Sequence, residues 1–241
     1  MRQSNLYILL YAAGITIVCG GLLALASEGL KERQQANIEL ERKANILSTV
    51  MNIEDGVNVA EVYNKRVKSY VVDFNGNMVD GVDAASVNVE AEYKKAPEKR
   101  LLPVYEFRSE SNPDKLEFIV VPVHGFGLWD KIWGYVALQA DLNTVQGVIF
   151  QHKGETPGLG ARIASEDIQN RYRGKKVFEG NELVSVVMMK GEGFDYSDDP
   201  HKVDGMSGAT LTGKGVNNML KDYLSCYVNY FNKLKQQQAG V

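Results

Sequence analysis

Residues 204–234 read DGMSGATLTGKGVNNMLKDYLSCYVNYFNKL. The second half of this stretch decides the fold. Val216, Met219, Leu220, Tyr223, Leu224, Tyr227, Phe231 and Leu234 recur at the three- and four-residue spacing of one helix face. A stripe that wide must be buried against something. The segments upstream supply it, because from residue 67 the apolar period changes to two. Residues 67–74 (VKSYVVDF) read as a strand followed by an Asn75-Gly76-Asn77 turn. Residues 101–107, 116–123, 132–140 and 145–152 read as four further strands, and 183–189 as another. Residues 165–172 look like a short helix, and 79–97 like a long polar loop. Antiparallel strands between terminal helices make an α+β domain.

The first half of the stretch raises a chemical question. Glycines and hydroxyls crowd the start of a helix, whose first N–H groups have no intrahelical partner and whose dipole favours an anion. Two readings follow from the residues. Either Ser207, Thr210 and Thr212 help hold a phosphate, or Thr212 caps the helix and the glycines make a turn. GATLTGKG at 208–215 approaches a phosphate-binding P-loop but ends in Gly215 instead of Ser or Thr, and no apolar strand runs into Gly208. GMSGA at 205–209 lacks the second glycine of a nucleophile elbow.

Two other clusters share that flavour. Residues 154–163 read GETPGLGARI, a loop given a fixed shape by three glycines and a proline. Residues 125–135 read GFGLWDKIWGY and hold both tryptophans, Trp129 and Trp133. The tryptophans suit either core packing or the wall of a site. The three segments together could hold a flat aromatic ring with a phosphate tail.

The remaining features bound the answer. The chain has 241 residues and a net charge of −3, from 27 basic and 30 acidic side chains. No basic excess is available for nucleic acid. Cys19 and Cys226, with three scattered histidines, give no metal-ligand spacing. Residues 6–26 (LYILLYAAGITIVCGGLLALA) carry no charge and span about 30 Å as a helix. They read as an uncleaved single-pass anchor. Arg2 on one side faces Lys31 and Arg33 on the other, so charge counting leaves the orientation open. The expected organisation is an anchor at 1–27, a juxtamembrane helix at 28–50, an N-terminal part of the soluble domain with an insertion at 51–100, and a ligand-binding domain at 101–241.

The residues themselves carry a resemblance. DGMSGAT at 204–210 fits the flavin-attachment pattern D-x-x-[ST]-G-A-T. With GETPGLG upstream and a single N-terminal anchor, the chain resembles a family of membrane-anchored FMN-binding domains, the C subunits of the Na⁺-translocating NADH:quinone reductases. The G subunit of Rnf electron-transport complexes is a close relative, but the GLW segment and the GYVAL that follows look more like the former. The resemblance implies FMN joined by its phosphate to Thr210 in a phosphoester made by a separate flavin transferase, with Asp204 part of what that enzyme reads. It implies that Ser207, Gly208, Thr212 and Lys214 lie near the phosphate, with Ala209 and Leu211 flanking Thr210. Glu155, Thr156, Gly158, Leu159 and Gly160 would wall the ring, and Leu128 and Trp129 would cover another side. It further implies a one-electron carrier among the subunits of a membrane redox complex that passes electrons from NADH toward ubiquinone or menaquinone while exporting Na⁺. The chain itself would bind neither NADH nor quinone. Its flavin domain would face the outer, periplasmic side of the bacterial cytoplasmic (inner) membrane.

Overall fold

The computed structural model describes residues 4–54, 56–109 and 115–239; Arg2 and the chain end at Val241 lie outside them. Two units are present, Met1–Arg42 and Lys43–Val241. Helix α1 is Asn5–Ser48. Its N-terminal part exposes an unbroken apolar surface, including Leu9, Ile17, Leu23 and Leu25. It is the one helix among the described residues that is long and apolar enough to cross a membrane.

The second unit is built on a five-stranded antiparallel meander, β1 (Val67–Val72), β2 (Leu102–Arg108), β3 (Leu116–Phe126), β4 (Lys131–Gln139) and β5 (Val145–His152), paired in that order. Helix α2 (Val59–Arg66) leads into β1. The Asn-Gly turn after β1 is formed as expected, with Gly76 at φ +76° and its N–H donating to the Asp73 carbonyl. Alternation sorts the strands' side chains onto two faces. Leu102, Val104, Ile119, Val121, Val123, Ile132, Val136 and Leu138 meet the final helix, α5 (Thr210–Ala239). Tyr105, Phe107, Val120 and Ala137 meet Ile46, Leu47 and Tyr63 on the other side. The sheet is thus covered on both faces, and every member of the expected stripe from Val216 to Phe231 is buried. Tyr227 is fully buried and its hydroxyl donates to the Pro103 carbonyl at 2.8 Å. Cys226 is a packed thiol, and burial pushes its pKa up.

Two expectations are corrected. Residues 79–97 are not a plain loop. They contain a 3₁₀ turn at Ala84–Ser86 and the short helix α3 (Val89–Tyr93), whose first turns are closed by Asp83 and Asn88 side chains. Residues 183–189 do not form one strand. Ser185 takes a left-handed φ of +65° that breaks the run. The result is a small hairpin of β6 (Phe178–Glu179) with β7 (Glu182–Leu183), then β8 (Val187–Met188) paired in parallel with β9 (Lys202–Val203). Helix α4 (Glu166–Asn170) lies where a short helix was expected.

Gly134, in the middle of β4, shows how tightly the sheet is built: a β-carbon there would collide with the Ile149 carbonyl of β5. Gly134→Ala is expected to destabilise the domain by roughly 2–3 kcal/mol, lowering Tm by ~5–10 °C. Thermal unfolding followed by circular dichroism checks this, and an unchanged Tm would contradict the packing described.

Candidate functional site

Three chain segments converge at the N-terminal end of α5. The first is the turn from β3 into β4, residues 127–130. The second is the GETPGLG loop after β5. The third is DGMSGAT, which runs from β9 into α5. Together they form a cleft of about 230 Å³ lined by Leu128, Trp129, Glu155, Thr156, Leu159, Gly160, Gly208, Ala209, Thr210, Leu211 and Thr212. Eleven of the residues singled out from the sequence therefore meet in one place. Asp204, Ser207, Gly158 and Lys214 do not line it. Ser207, Gly158 and Lys214 are exposed, and Asp204 is half-buried beneath the loop.

The joint among the segments is Glu155. It is 4% exposed, and both carboxylate oxygens are used. Oε1 accepts the Trp129 backbone N–H at 2.9 Å, and Oε2 accepts the Thr212 hydroxyl at 2.6 Å. Glycine makes this approach possible. A β-carbon on Gly127 would sit 2.5 Å from Oε1, and one on Gly160 would collide with Oε2 and lie 2.5 Å from the Thr212 oxygen. Trp129 is 69% exposed, so it is not a core residue, while Trp133 is half-buried with its indole N–H donated to Gln151.

The two threonines at the helix start are chemically distinct. Thr212 is buried in the first turn and its hydroxyl is taken by Glu155, so it is not the helix cap. Thr210 is partly exposed and lines the cleft. The first intrahelical bond here runs from the Gly213 N–H to the Ala209 carbonyl. That places Ala209 at the cap position, where it has no side-chain acceptor to offer. The N–H groups of Thr210, Leu211 and Thr212 have no partner among the described residues, and they open toward an anion. Gly208 adopts φ +72°, a backbone state that disfavours side chains, and lets the loop turn into the helix. Leu128, Trp129, Leu159 and Leu211, each between 42% and 69% exposed, give the cleft an apolar rim.

A second layer, which sequence reasoning missed, fastens the loop from below. Arg162 grips Glu192 bidentately at 2.9 and 2.5 Å, and Arg171 reaches the same carboxylate at 3.2 Å. Glu192 also accepts the Ser207 N–H at 2.9 Å. Arg171 donates to the Gly205 carbonyl at 2.6 Å and faces Asp204 at 3.5 Å. Arg162 stood within the quoted GETPGLGARI stretch, but nothing in its spacing pointed to Glu192, thirty positions on.

The Arg162 pair, followed by the Ser207 N–H, holds the Glu192 carboxyl down at about 2 against an ordinary 4.5. A carboxyl lowered by folding stabilises the fold fully above its unfolded pKa and loses that contribution as pH falls toward the folded one. Glu192→Gln is therefore expected to lower the urea midpoint at pH 7, with the gap to the parent closing between about pH 4.5 and 2. A gap that stayed constant with pH would contradict the ion pairing.

Comparison with known proteins accords with the cleft. Residues 127–225 match the family model described as FMN-binding domain, a span that includes all three cleft segments. The chain is 35% identical over 222 residues to the Na(+)-translocating NADH-quinone reductase C subunit of Haemophilus ducreyi, covering 86% of this chain and 84% of that one. It is 31% identical over 249 residues to the C subunit of the same reductase from Neisseria meningitidis serogroup B, covering 96% and 95%. The crystal structure of the C subunit from Parabacteroides distasonis superposes with a TM-score of 0.72 at 34% identity, over 84% of this chain and 96% of that one. With that identity over that much of each chain, and with the five-stranded sheet and C-terminal helix in common, this chain belongs to the family of C subunits of the Na(+)-translocating NADH-quinone reductases and carries its FMN-binding domain.

Proposed function

We propose that the chain carries FMN as a phosphoester on Thr210 and passes electrons singly within a membrane-bound NADH:quinone reductase that exports Na⁺. The observation that carries this reading is the contrast between the two threonines. Thr210 lines the cleft beside three N–H groups that have no partner among the described residues, whereas the Thr212 hydroxyl is buried and bonded to Glu155. A phosphodiester on Thr210 keeps one negative charge, and the start of α5 suits it, worth about 0.3–1 kcal/mol. Ser207, Gly208 and Lys214 are assigned around that charge. Thr156, Gly158, Leu159 and Gly160 are assigned to one wall of the ring, Leu128 and Trp129 to another, and Ala209 and Leu211 to the flanks of Thr210. Glu155 holds these walls together from behind.

FMN supplies one-electron chemistry when bound, and a link through the phosphate leaves its ring electronics untouched. The chain's part is to hold the cofactor, shape its surroundings and leave the rim open to redox partners in other subunits. It has no G-x-G-x-x-G fingerprint of its own for NADH. Esterification by free FMN would have to expel water, which is unfavourable in water. The donor is therefore assigned as a flavin dinucleotide. The Thr210 oxygen–phosphorus bond forms, the pyrophosphate bond breaks, a nucleoside monophosphate leaves, and the hydroxyl proton passes to a base on the flavin transferase. We place residues 6–26 as a single-pass anchor in the bacterial cytoplasmic (inner) membrane, with the flavin domain on its outer, periplasmic face.

Full-length chain co-expressed with a flavin transferase and run on a denaturing gel tests the linkage. Yellow-green fluorescence is expected in the parent and in Thr212→Ala, and none in Thr210→Ala. A colourless parent would leave a non-redox phospholigand domain as the better reading.

A further inference from the structure

Thr210 sits between two ties that reach the same loop. Ahead of it, the Ser207 N–H donates to Glu192 Oε2 at 2.9 Å, and that carboxylate is gripped by Arg162. Behind it, the Thr212 hydroxyl donates to Glu155 Oε2 at 2.6 Å. Glu155 opens and Arg162 closes the loop that walls the cleft. Between those ends the loop is closed on itself. The Leu159 and Ala161 N–H groups both donate to the Thr156 carbonyl at 3.1 Å, and the Arg162 N–H donates to the Leu159 carbonyl at 3.1 Å. The Leu159 side chain leans over Gly208, where a β-carbon would come within 2.9 Å of its Cδ2. The gap between this wall and Thr210 is therefore set by the ties at its two ends.

The ties differ in kind. Glu155 is buried and lines the cleft, so its loss would strand polar groups inside the site. The Arg162 and Glu192 side chains keep 31% and 21% of their surface exposed. Neither lines the cleft, and neither lies within residues 204–210. This tie can be cut without changing the cavity lining or the attachment segment.

We infer that Arg162 and Glu192 are a positioning pair for the bound flavin. They hold the wall at the spacing from Thr210 that encloses the isoalloxazine ring, and without them the flavin stays attached while its ring loosens from the wall. This rests on the Thr210 phosphoester and the ring wall proposed above. A phosphoester fixes only the tail of the cofactor. The ribityl chain between phosphate and ring turns about several single bonds, so attachment alone leaves the ring's place open. A wall held rigidly beside the attachment point removes that freedom.

The test uses full-length chain loaded by co-expression with a flavin transferase and purified in detergent. Parent, Arg162→Met, Glu192→Gln and the double variant are compared, each well below its own Tm. Four quantities are read: flavin per chain after denaturation, quenching of the folded flavin by iodide at constant ionic strength, its fluorescence anisotropy, and its midpoint potential. Flavin per chain is expected to match the parent throughout. Either single substitution is expected to raise the quenching constant roughly two- to fivefold, a charge-assisted bond discounted for its partial exposure. Anisotropy is expected to fall and the potential to move toward that of free FMN. The double variant is expected to be no worse than the stronger single one, because both cut one tie. Arg162→Lys, which keeps one charged donor, is expected to recover part of the change. Gly134→Ala, destabilised at a distance from the loop, is the control for stability alone and is expected to match the parent. Should Arg162→Met fail to fold, Arg162→Gln takes its place with the same expectation. The inference is overturned if both single variants match the parent in quenching and anisotropy, or if their effects multiply. It is overturned equally if flavin per chain falls while quenching of the bound flavin is unchanged, since the pair would then act on attachment. A parent that carries no flavin would instead overturn the phosphoester reading on which the inference stands.

Discussion

The site depends on one buried carboxylate. Glu155 joins the turn after β3 to the first turn of α5, and the only way to bring it within reach of both is to leave Gly127 and Gly160 bare. A polar group this far from water is tolerable only with its hydrogen bonds made. Removing either partner would strand a buried polar group, at about 1–3 kcal/mol each. The bond also decides the chemistry of its neighbour. Because Thr212 is committed to Glu155, the threonine at the helix start whose hydroxyl has no such commitment among the described residues is Thr210, two positions earlier.

Around that strut the domain separates two tasks. The sheet and the buried face of α5 supply rigidity, with Tyr223, Tyr227 and Phe231 filling the space between layers. The loops at the helix start supply the site, and they are held by ion pairs and backbone bonds in addition to the buried Met206, Ala209 and Ile163. Such a division suits an FMN-carrying subunit, with the cofactor's surroundings fixed while an apolar rim of Leu128, Trp129, Leu159 and Leu211 remains exposed. A cleft of about 230 Å³ is smaller than the ~300–1,000 Å³ usual for a pocket that engulfs its ligand. The covalent link proposed above would remove the need for deeper enclosure.

Much of this was legible in the residues. Period-two alternation located all five strands of the meander, and β5 matches its expected span at both ends. The stripe on α5 was legible because eight apolar residues keep one face over five turns. The cleft was legible as three glycine-rich clusters, since close backbone approach leaves glycine as its mark. What stayed hidden has physical reasons too. The 3₁₀ turn at 84–86 and the helix at 89–93 are too short to show a period, and only their Asp83 and Asn88 caps hint at them. The break at Ser185 leaves no trace in composition, because serine is no special mark of a positive φ. Arg162, Arg171 and Glu192 form a clamp only once distant segments meet, and charged residues in loops otherwise read as solvated surface. Thr212 was open between cap and phosphate contact, and it proved to be a strut, which requires knowing where Glu155 lies.

The central claim is that the cofactor's phosphate is a diester at Thr210. Phosphorus NMR of the flavin-loaded chain, unfolded in denaturant and titrated from pH 5 to 8, tests it directly. A diester has no second ionisation, so one protein-bound resonance that does not move with pH is expected. A monoester ionises near pH 6. A resonance that shifts through that value, or that leaves with a small molecule on unfolding, would contradict the account.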